Sequence, residues 1–483
     1  MLFVISLILI FIIFFSLLFK KVNIPLILIS LASGMIFGSD VLGIIYFDDV
    51  WLTKEIANIA LIFILFAGGY GLWDKKSEIK PVFKISVFLS TFGVFFTALF
   101  SAFFFSFFSG WEFWESFLLC AIISSTDAAA CFSILNSNSV DKRLTSIIKA
   151  ESASNDPAAI MLTTFIIHVI GGVSEGYTRY IALTVWQMVG GVGMGIAVGY
   201  IGVFLFRRIK ELDISYFYIL LVAIALLAYS AGDFFKASPI LSVFFAGLVI
   251  GNEDIPYKNM TSSFAEILSF IANTVMFIML GLLVFPKKFA LIWELGLLLF
   301  FVVTFIGRPL AIIISSFFEK LNIREKTFLS IAGIKGSVPI VLATYPLSVG
   351  MDPDHKIFNI IFFAVTLSVI FQGIPIAGFA RMLKLTGNGF KKTINMMQLV
   401  NIHDTDYELI EVYVDEEFYR GERKISELSL PMGTTITMIN RNNSIIAPSG
   451  QTVIKAGDIL FILTEKNKIK EVTDIILGKF ENK

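Results

Sequence analysis

The chain has 483 residues, 56% hydrophobic and 16% charged, with 51 Phe and a mean hydropathy of +0.82. Such a composition excludes an ordinary soluble globular protein and makes the lipid bilayer the solvent for most of the chain. Lys+Arg and Asp+Glu both number 38, so no net charge draws nucleic acid or another polyanion.

The first apolar segment, 2–19, has the length of a signal peptide but lacks a basic leader and a small-residue cleavage site, and reads as a retained helix. A membrane-crossing helix needs about 20 apolar residues, fewer when it is broken or packed inside protein. That rule predicts thirteen spans, at 2–19, 23–38, 54–72, 82–108, 113–136, 145–172, 181–206, 214–231, 237–251, 262–284, 289–318, 327–349 and 356–382. With the C-terminus cytoplasmic, the inner loops hold 18 Lys and Arg and the outer loops 6, so the N-terminus is expected outside. The two cysteines, Cys120 and Cys131, lie too far apart along one helix to bridge and read as packing residues.

The patterning changes after Leu385. A transmembrane domain over 1–385 is followed by a polar linker over 386–406 and a small α+β domain over 407–483. Within that domain Glu408 to Val414, Thr434 to Asn440 and Asp458 to Leu463 read as strands, and Lys466 to Leu477 as an amphipathic helix.

An ionisable side chain at membrane depth costs roughly 2.5–3.5 kcal/mol on insertion scales, so each one marks a candidate functional position. Span five reads Ser124-Ser125-Thr126-Asp127-Ala128-Ala129-Ala130, and span six begins Glu151-Ser152-Ala153-Ser154-Asn155-Asp156-Pro157. Residues four apart on a helix share a face, which stacks Ser152 with Asp156 and Glu151 with Asn155. Pro157 removes a backbone donor and is expected to free the Ala153 carbonyl where the helix loosens. Such an oxygen cage suits a hard monovalent cation, and its carboxylates also titrate. A cation and a proton would therefore compete for it, which is the minimum chemistry of an exchanger. The plainer reading makes Asp127 and Asp156 hydrogen-bonded caps, but two such clusters on successive spans argue against it.

Glu151 reads as half of a buried ion pair. Lys335, in Gly333-Ile334-Lys335-Gly336-Ser337-Val338-Pro339, is the first candidate partner and Arg308, in Gly307-Arg308-Pro309, the second. The glycines and Pro339 predict a helix broken near mid-membrane, and spans 1–6 and 8–13 make two six-helix halves that fit inverted repeats. His168, Asp233 and the glycines between Gly190 and Gly199 read as packing or interfacial residues.

These residues resemble a family. Thr126-Asp127, Glu151-Ser152-x-x-Asn155-Asp156-Pro157, Gly333-Ile334-Lys335-Gly336 and Ser238-Pro239-Ile240-Leu241-Ser242 are similar to motifs of NhaP-type cation/proton antiporters, over all thirteen spans. The resemblance implies that Asp127, Asp156, Ser152 and Thr126 bind the transported potassium or sodium ion, with Asn155 and Glu151 in support. It also implies a homodimer in the inner membrane, no cofactor and no enzymatic activity. Asn155 matches the electroneutral branch. One departure is Lys335, where the family has Arg, because Lys cannot form a bidentate fork with a carboxylate. The tail resembles TrkA-C domains, which implies regulation by a small intracellular anion or nucleotide and, joined to such spans, favours potassium.

The competing reading is a ligand-gated cation channel. Ala67-Gly68-Gly69-Tyr70-Gly71-Leu72 superficially resembles a carbonyl filter, but it occurs once and lacks the Thr-Val lead.

Overall fold

The computed structural model describes residues 2–19, 26–46, 49–72, 82–127, 140–171, 177–284, 286–317, 319–385, 407–414, 423–441 and 444–476. It divides into two compact units, Met1–Gly387 and Asn388–Lys483. The expected linker over 386–406, the run Ala128-Ala129-Ala130 and Cys131 lie outside the described residues.

The first unit is helical. We label its helices α1 (Leu2–Leu18), α2 (Leu26–Phe37), α3 (Val50–Leu72), α4 (Phe83–Ser109), α5 (Phe113–Ile122), α6 (Lys142–Ile170), α7 (Tyr177–Arg208), α8 (Ile214–Phe234), α9 (Pro239–Asn252), α10 (Lys258–Leu282), α11 (Phe289–Ser315), α12 (Ile323–Ile331), α13 (Ser337–Ser348), α14 (Lys356–Gly373) and α15 (Ile376–Met382). Among the described residues eight helices are long and apolar enough to cross a bilayer: α3, α4, α6, α7, α8, α10, α11 and α14. Five shorter apolar helices, Ser6–Leu18, Leu26–Phe37, Phe113–Ile122, Pro239–Asn252 and Ser337–Ser348, fall where the remaining expected spans lie. The expected count of thirteen crossings thus rests on five helices shorter than the hydrocarbon core is thick. Two of them, α5 and α13, are parts of interrupted spans.

Local chemistry explains several boundaries. Asp141 caps α6, accepting from the backbone N–H of Arg143 at 2.8 Å and of Leu144 at 3.3 Å. Ser238 caps α9, with Pro239 in the first helical position. Asn322 and Glu325 form a capping box at the start of α12. Gly110 closes α4 at a φ of 72°, where a side chain would be strained.

Glycines allow helices to meet backbone to backbone. A methyl group on Gly69 of α3 would strike the Phe244 carbonyl of α9, and methyls on Gly247 and Gly251 of α9 would strike the carbonyls of Phe66 and Tyr70. Methyls on Gly191, Gly195 and Gly199 of α7 would also lie against α9, at 2.8 Å from the Ser238 carbonyl, 2.5 Å from the Ser242 carbonyl and 2.7 Å from Val249 Cβ, so these glycines have the packing role expected of them, while Gly193 faces open space. The filter-like run at 67–72 is ordinary helix at the end of α3, its Tyr70 hydroxyl 2.8 Å from Thr261. Its carbonyls belong to a helix and do not line a pore.

The two halves share some of their irregularities. Helix α4 carries a π-helical turn at Leu89–Gly93 and α11 one at Val303–Gly307, while span five leaves the helix after Ile122 and span twelve is broken at Gly333–Gly336. Pro157 does not break α6, which is continuous from Lys142 to Ile170, so the expected loosening there is corrected.

The second unit is a four-stranded antiparallel sheet in the order β1-β6-β3-β4, built from β1 (Tyr407–Tyr413), β3 (Thr435–Arg441), β4 (Ser444–Ile446) and β6 (Ile459–Glu465). A small pair, β2 (Arg423–Lys424) with β5 (Val453–Ile454), and a C-terminal helix α16 (Ile469–Ile476) complete it. Val412, Ile436, Ile439, Leu460, Ile462, Val472 and Ile476 form its core. Buried Asp458 accepts from both Arg441 Nε and Nη2, at 2.8 and 2.7 Å, and from the Lys455 N–H at 2.8 Å.

Candidate functional site: the crossing of two interrupted spans

Helix α5 stops at Ile122, after only about 15 Å of rise, half the thickness of a hydrocarbon core. Ser124 to Asp127 continue without helical structure, and the Asp127 N–H donates to the Ile334 carbonyl at 2.8 Å. Ile334 lies in the second gap, Gly333 to Gly336, between α12 and α13. Two non-helical segments therefore cross, and each leaves helix ends whose backbone groups need partners inside the protein.

Side chains of the motif residues supply those partners. Lys335 Nζ donates to the Ser124 carbonyl at 3.0 Å, placing a positive charge at the carbonyl end of α5. The Asp127 side chain lies against Gly336, at the N-terminal end of α13, where negative charge is favoured. At the end of α12, Gln372 Nε2 donates to the Ile331 carbonyl at 3.2 Å and Arg308 Nη2 reaches the Leu329 carbonyl at 3.5 Å.

The glycines of the motif have steric causes. A Cβ at Gly336 would lie 2.6 Å from Asp127 Cγ, and one at Gly333 would lie 2.8 Å from Arg308 Nε. Both positions must lack a side chain for the carboxylate and the guanidinium to occupy their places.

Helix α6 passes beside this crossing. Thr126 Oγ1 and Ser152 Oγ are 2.9 Å apart, and Asn155 Nδ2 donates to Thr126 Oγ1 at 2.6 Å. All three are buried, and Asn155 Oδ1 has no hydrogen-bond partner among the described residues. An orphaned buried carbonyl oxygen costs free energy unless something meets it, and a cation would. Asp127 and Asp156 are both half-buried and close enough to interact electrostatically, with the Ser125 side chain against Asp156. Spans five and six thus bring four expected residues, Asp127, Asp156, Ser152 and Thr126, together with Asn155.

Glu151 points away from them, to Arg308. Arg308 Nη1 and Nη2 grip both carboxylate oxygens, Nη2 to Oε2 at 3.0 Å, with only 6% and 1% of the two side chains exposed. Lys335, first choice from sequence, is therefore corrected as the partner of Glu151. Its amine is engaged with Ser124, and the planar fork of Arg308 fits a carboxylate as an ammonium cannot.

Sequence reasoning missed Ser368 and Gln372 on α14, and the Asn273–Ser337 hydrogen bond at 3.2 Å between α10 and α13. A polar residue within an apolar span was the available signal for Gln372 and Asn273.

The family model described as sodium/hydrogen exchanger, transmembrane, matches residues 5–381, and that of the TrkA-C domain matches residues 410–477. The K(+)/H(+) antiporter NhaP2 of Shewanella sp. (strain MR-4) is 30% identical over 468 residues, covering 96% of this chain and 81% of the relative. The K(+)/H(+) antiporter NhaP of Alkalimonas amylolytica is 28% identical over 464 residues, covering 95% and 80%. The structure of the sodium proton antiporter MjNhaP1 from Methanocaldococcus jannaschii at pH 8 superposes with a TM-score of 0.69 at 24% identity, over 79% of this chain and 96% of that one.

Proposed function

The chain belongs to the sodium/hydrogen exchanger family, and on that premise we propose that it is a secondary active antiporter exchanging a monovalent cation for a proton, potassium before sodium. The cation is bound by Asp127 and Asp156 with the neutral oxygens of Thr126 and Ser152, while Asn155 positions Thr126 and the Glu151–Arg308 pair ties α6 to α11. The preference for potassium follows the K(+)/H(+) relatives.

The observation that supports this best is the charge of the crossing. Three carboxylates, Asp127, Asp156 and Glu151, face two basic side chains, Arg308 and Lys335, which counted in their ordinary ionised forms give a formal charge of −1. One proton or one monovalent cation brings that to zero, so both loaded forms carry the same charge. Exchange between them is one for one and electroneutral, and the membrane potential does no work on it.

We further place the chain in the inner membrane as a homodimer, with the N-terminus outside and three functional segments: the exchanger at 1–385, a linker at 386–406 and a cytosolic regulatory domain at 407–483. The regulatory ligand is a small intracellular anion or nucleotide held between two tails.

Reconstitution into liposomes with an internal pH dye, followed by pulses of potassium, sodium and lithium, tests the exchange. Asp156→Asn keeps size and removes the shared charge, so coupled proton flux should vanish in folded protein. Substantial flux in that variant would refute the site. A strong response of sodium-driven flux to a valinomycin-set potassium potential would refute electroneutrality.

A further inference from the structure

We infer that Ser368 and Gln372, on α14, are positioning residues of the cation site, acting through the interrupted backbone of the twelfth span. The inference rests on the exchange reading given above.

The two side chains bracket the gap. Ser368 Oγ accepts the backbone N–H of Lys335 at 3.0 Å and donates its own proton to Gln372 Oε1. Gln372 Nε2 then donates to the Ile331 carbonyl at 3.2 Å. This chain of three hydrogen bonds joins the last turn of α12 to the residue before Gly336. Ser368 and Gln372 are 1% and 3% exposed, so water does not replace the bonds if they are lost.

What they hold in place is the surface against which Asp127 rests. Lys335 precedes Gly336, whose missing side chain makes room for the Asp127 carboxylate, and follows Ile334, whose carbonyl accepts the Asp127 N–H. A shift of that backbone by a few tenths of an ångström moves both supports of Asp127 together.

An independent observation comes from the other half of the unit. Helix α6 braces the fifth span with a hydroxyl and an amide, Ser152 and Asn155, both bonded to Thr126. Helix α14 braces the twelfth with Ser368 and Gln372, whose separation is one residue greater. The π-helical turn at Val369–Gly373 accommodates an extra residue between them. In one half the braced segment meets the transported ion; in the other it carries Lys335, a cation tethered to the chain.

The test compares Ser368→Ala, Ser368→Thr and Gln372→Met with wild type in proteoliposomes at matched protein amounts. The readouts are KM and kcat for potassium and the potassium-to-sodium ratio of KM. Each of Ser368→Ala and Gln372→Met removes two of the three buried bonds, so KM for potassium should rise by at least about fivefold to tenfold and the ion ratio should change, with kcat within about threefold. Ser368→Thr keeps the hydroxyl and should restore wild-type KM. An unchanged KM and ion ratio in Ser368→Ala, or a loss confined to kcat and thermal stability, would overturn the inference. Ser368→Ala removes a single atom and carries the test even where Gln372→Met fails to fold. Asp156→Asn, run alongside, separates the two ideas: flux in Asp156→Asn defeats the exchange site itself, whereas an inactive Asp156→Asn with a normal Ser368→Ala defeats only the brace.

Discussion

Replacing Arg308 with alanine would leave the Glu151 carboxylate 1% exposed with its guanidinium partner gone. Two unit charges about 4 Å apart attract by about 4 kcal/mol at an effective dielectric of 20, and stripping one member from a buried pair costs about 3–5 kcal/mol. Arg308→Ala also removes the donor to the Leu329 carbonyl and opens a void beside Gly333, adding about 1 kcal/mol. Glu151→Gln in the same chain removes the stranded charge, so the double variant should regain about 2–3 kcal/mol of the loss. Lys335→Ala should show no comparable coupling to Glu151→Gln, because its amine serves Ser124. The assay is the apparent thermal midpoint of detergent-solubilised full-length protein, followed by tryptophan fluorescence at one scan rate for the singles and doubles. Additive losses in Arg308→Ala with Glu151→Gln, or coupling to Lys335 in its place, would refute the assignment of the pair.

Gly336→Ala should abolish exchange in folded protein, since the new methyl displaces the Asp127 carboxylate, whereas Gly378→Ala, with open space around it, should leave flux unchanged in the same dye assay. Asp458→Ala should destabilise the tail by about 2–3 kcal/mol by removing the buried acceptor of Arg441 and of the Lys455 N–H, and limited proteolysis of the full chain should then cut within 407–476. Deleting 406–483 should move the pH threshold or maximal rate of exchange and leave the order of cation preference intact, because every candidate ligand lies in the first unit. Identical rate-against-pH curves for intact and truncated protein would remove the regulatory role. A changed ion order would show that the site lies elsewhere.

Much of the fold was legible because bilayer thickness imposes a length on apolar runs, and the paired clusters of spans five and six stood out as costly polar groups in apolar surroundings. The interruption of span twelve was legible from Gly333, Gly336 and Pro339. The partner of Glu151 was not. Sequence offers two buried cations, and the choice between them depends on which reaches the first turns of α6, a question of three-dimensional register that spacing along one helix cannot answer. The reasons for Gly333 and Gly336 were hidden for the same cause: each is small for the sake of a side chain far away in sequence, Arg308 or Asp127. Ser368 and Gln372 serve backbone groups exposed by the break, and a backbone group has no letter in the sequence. Strands β2, β4 and β5 went unread because two or three residues show no periodicity.

The glycine contacts joining α3 and α7 to α9, with the matching approach of Gly34 and Gly281 between α2 and α10, have a mechanical corollary. Where main chain rests on main chain there are no rotamers to rearrange, and sliding by even one residue would drive carbonyls into neighbouring backbone. These helices form a stiff frame. The polar crossing meets that frame through side chains, as in the Asn273–Ser337 bond, and side chains can exchange partners. Alternating exposure of the ion to the two membrane faces can then use that compliant seam, and alanines introduced along the frame should act as wedges that unfold the protein without tuning its transport.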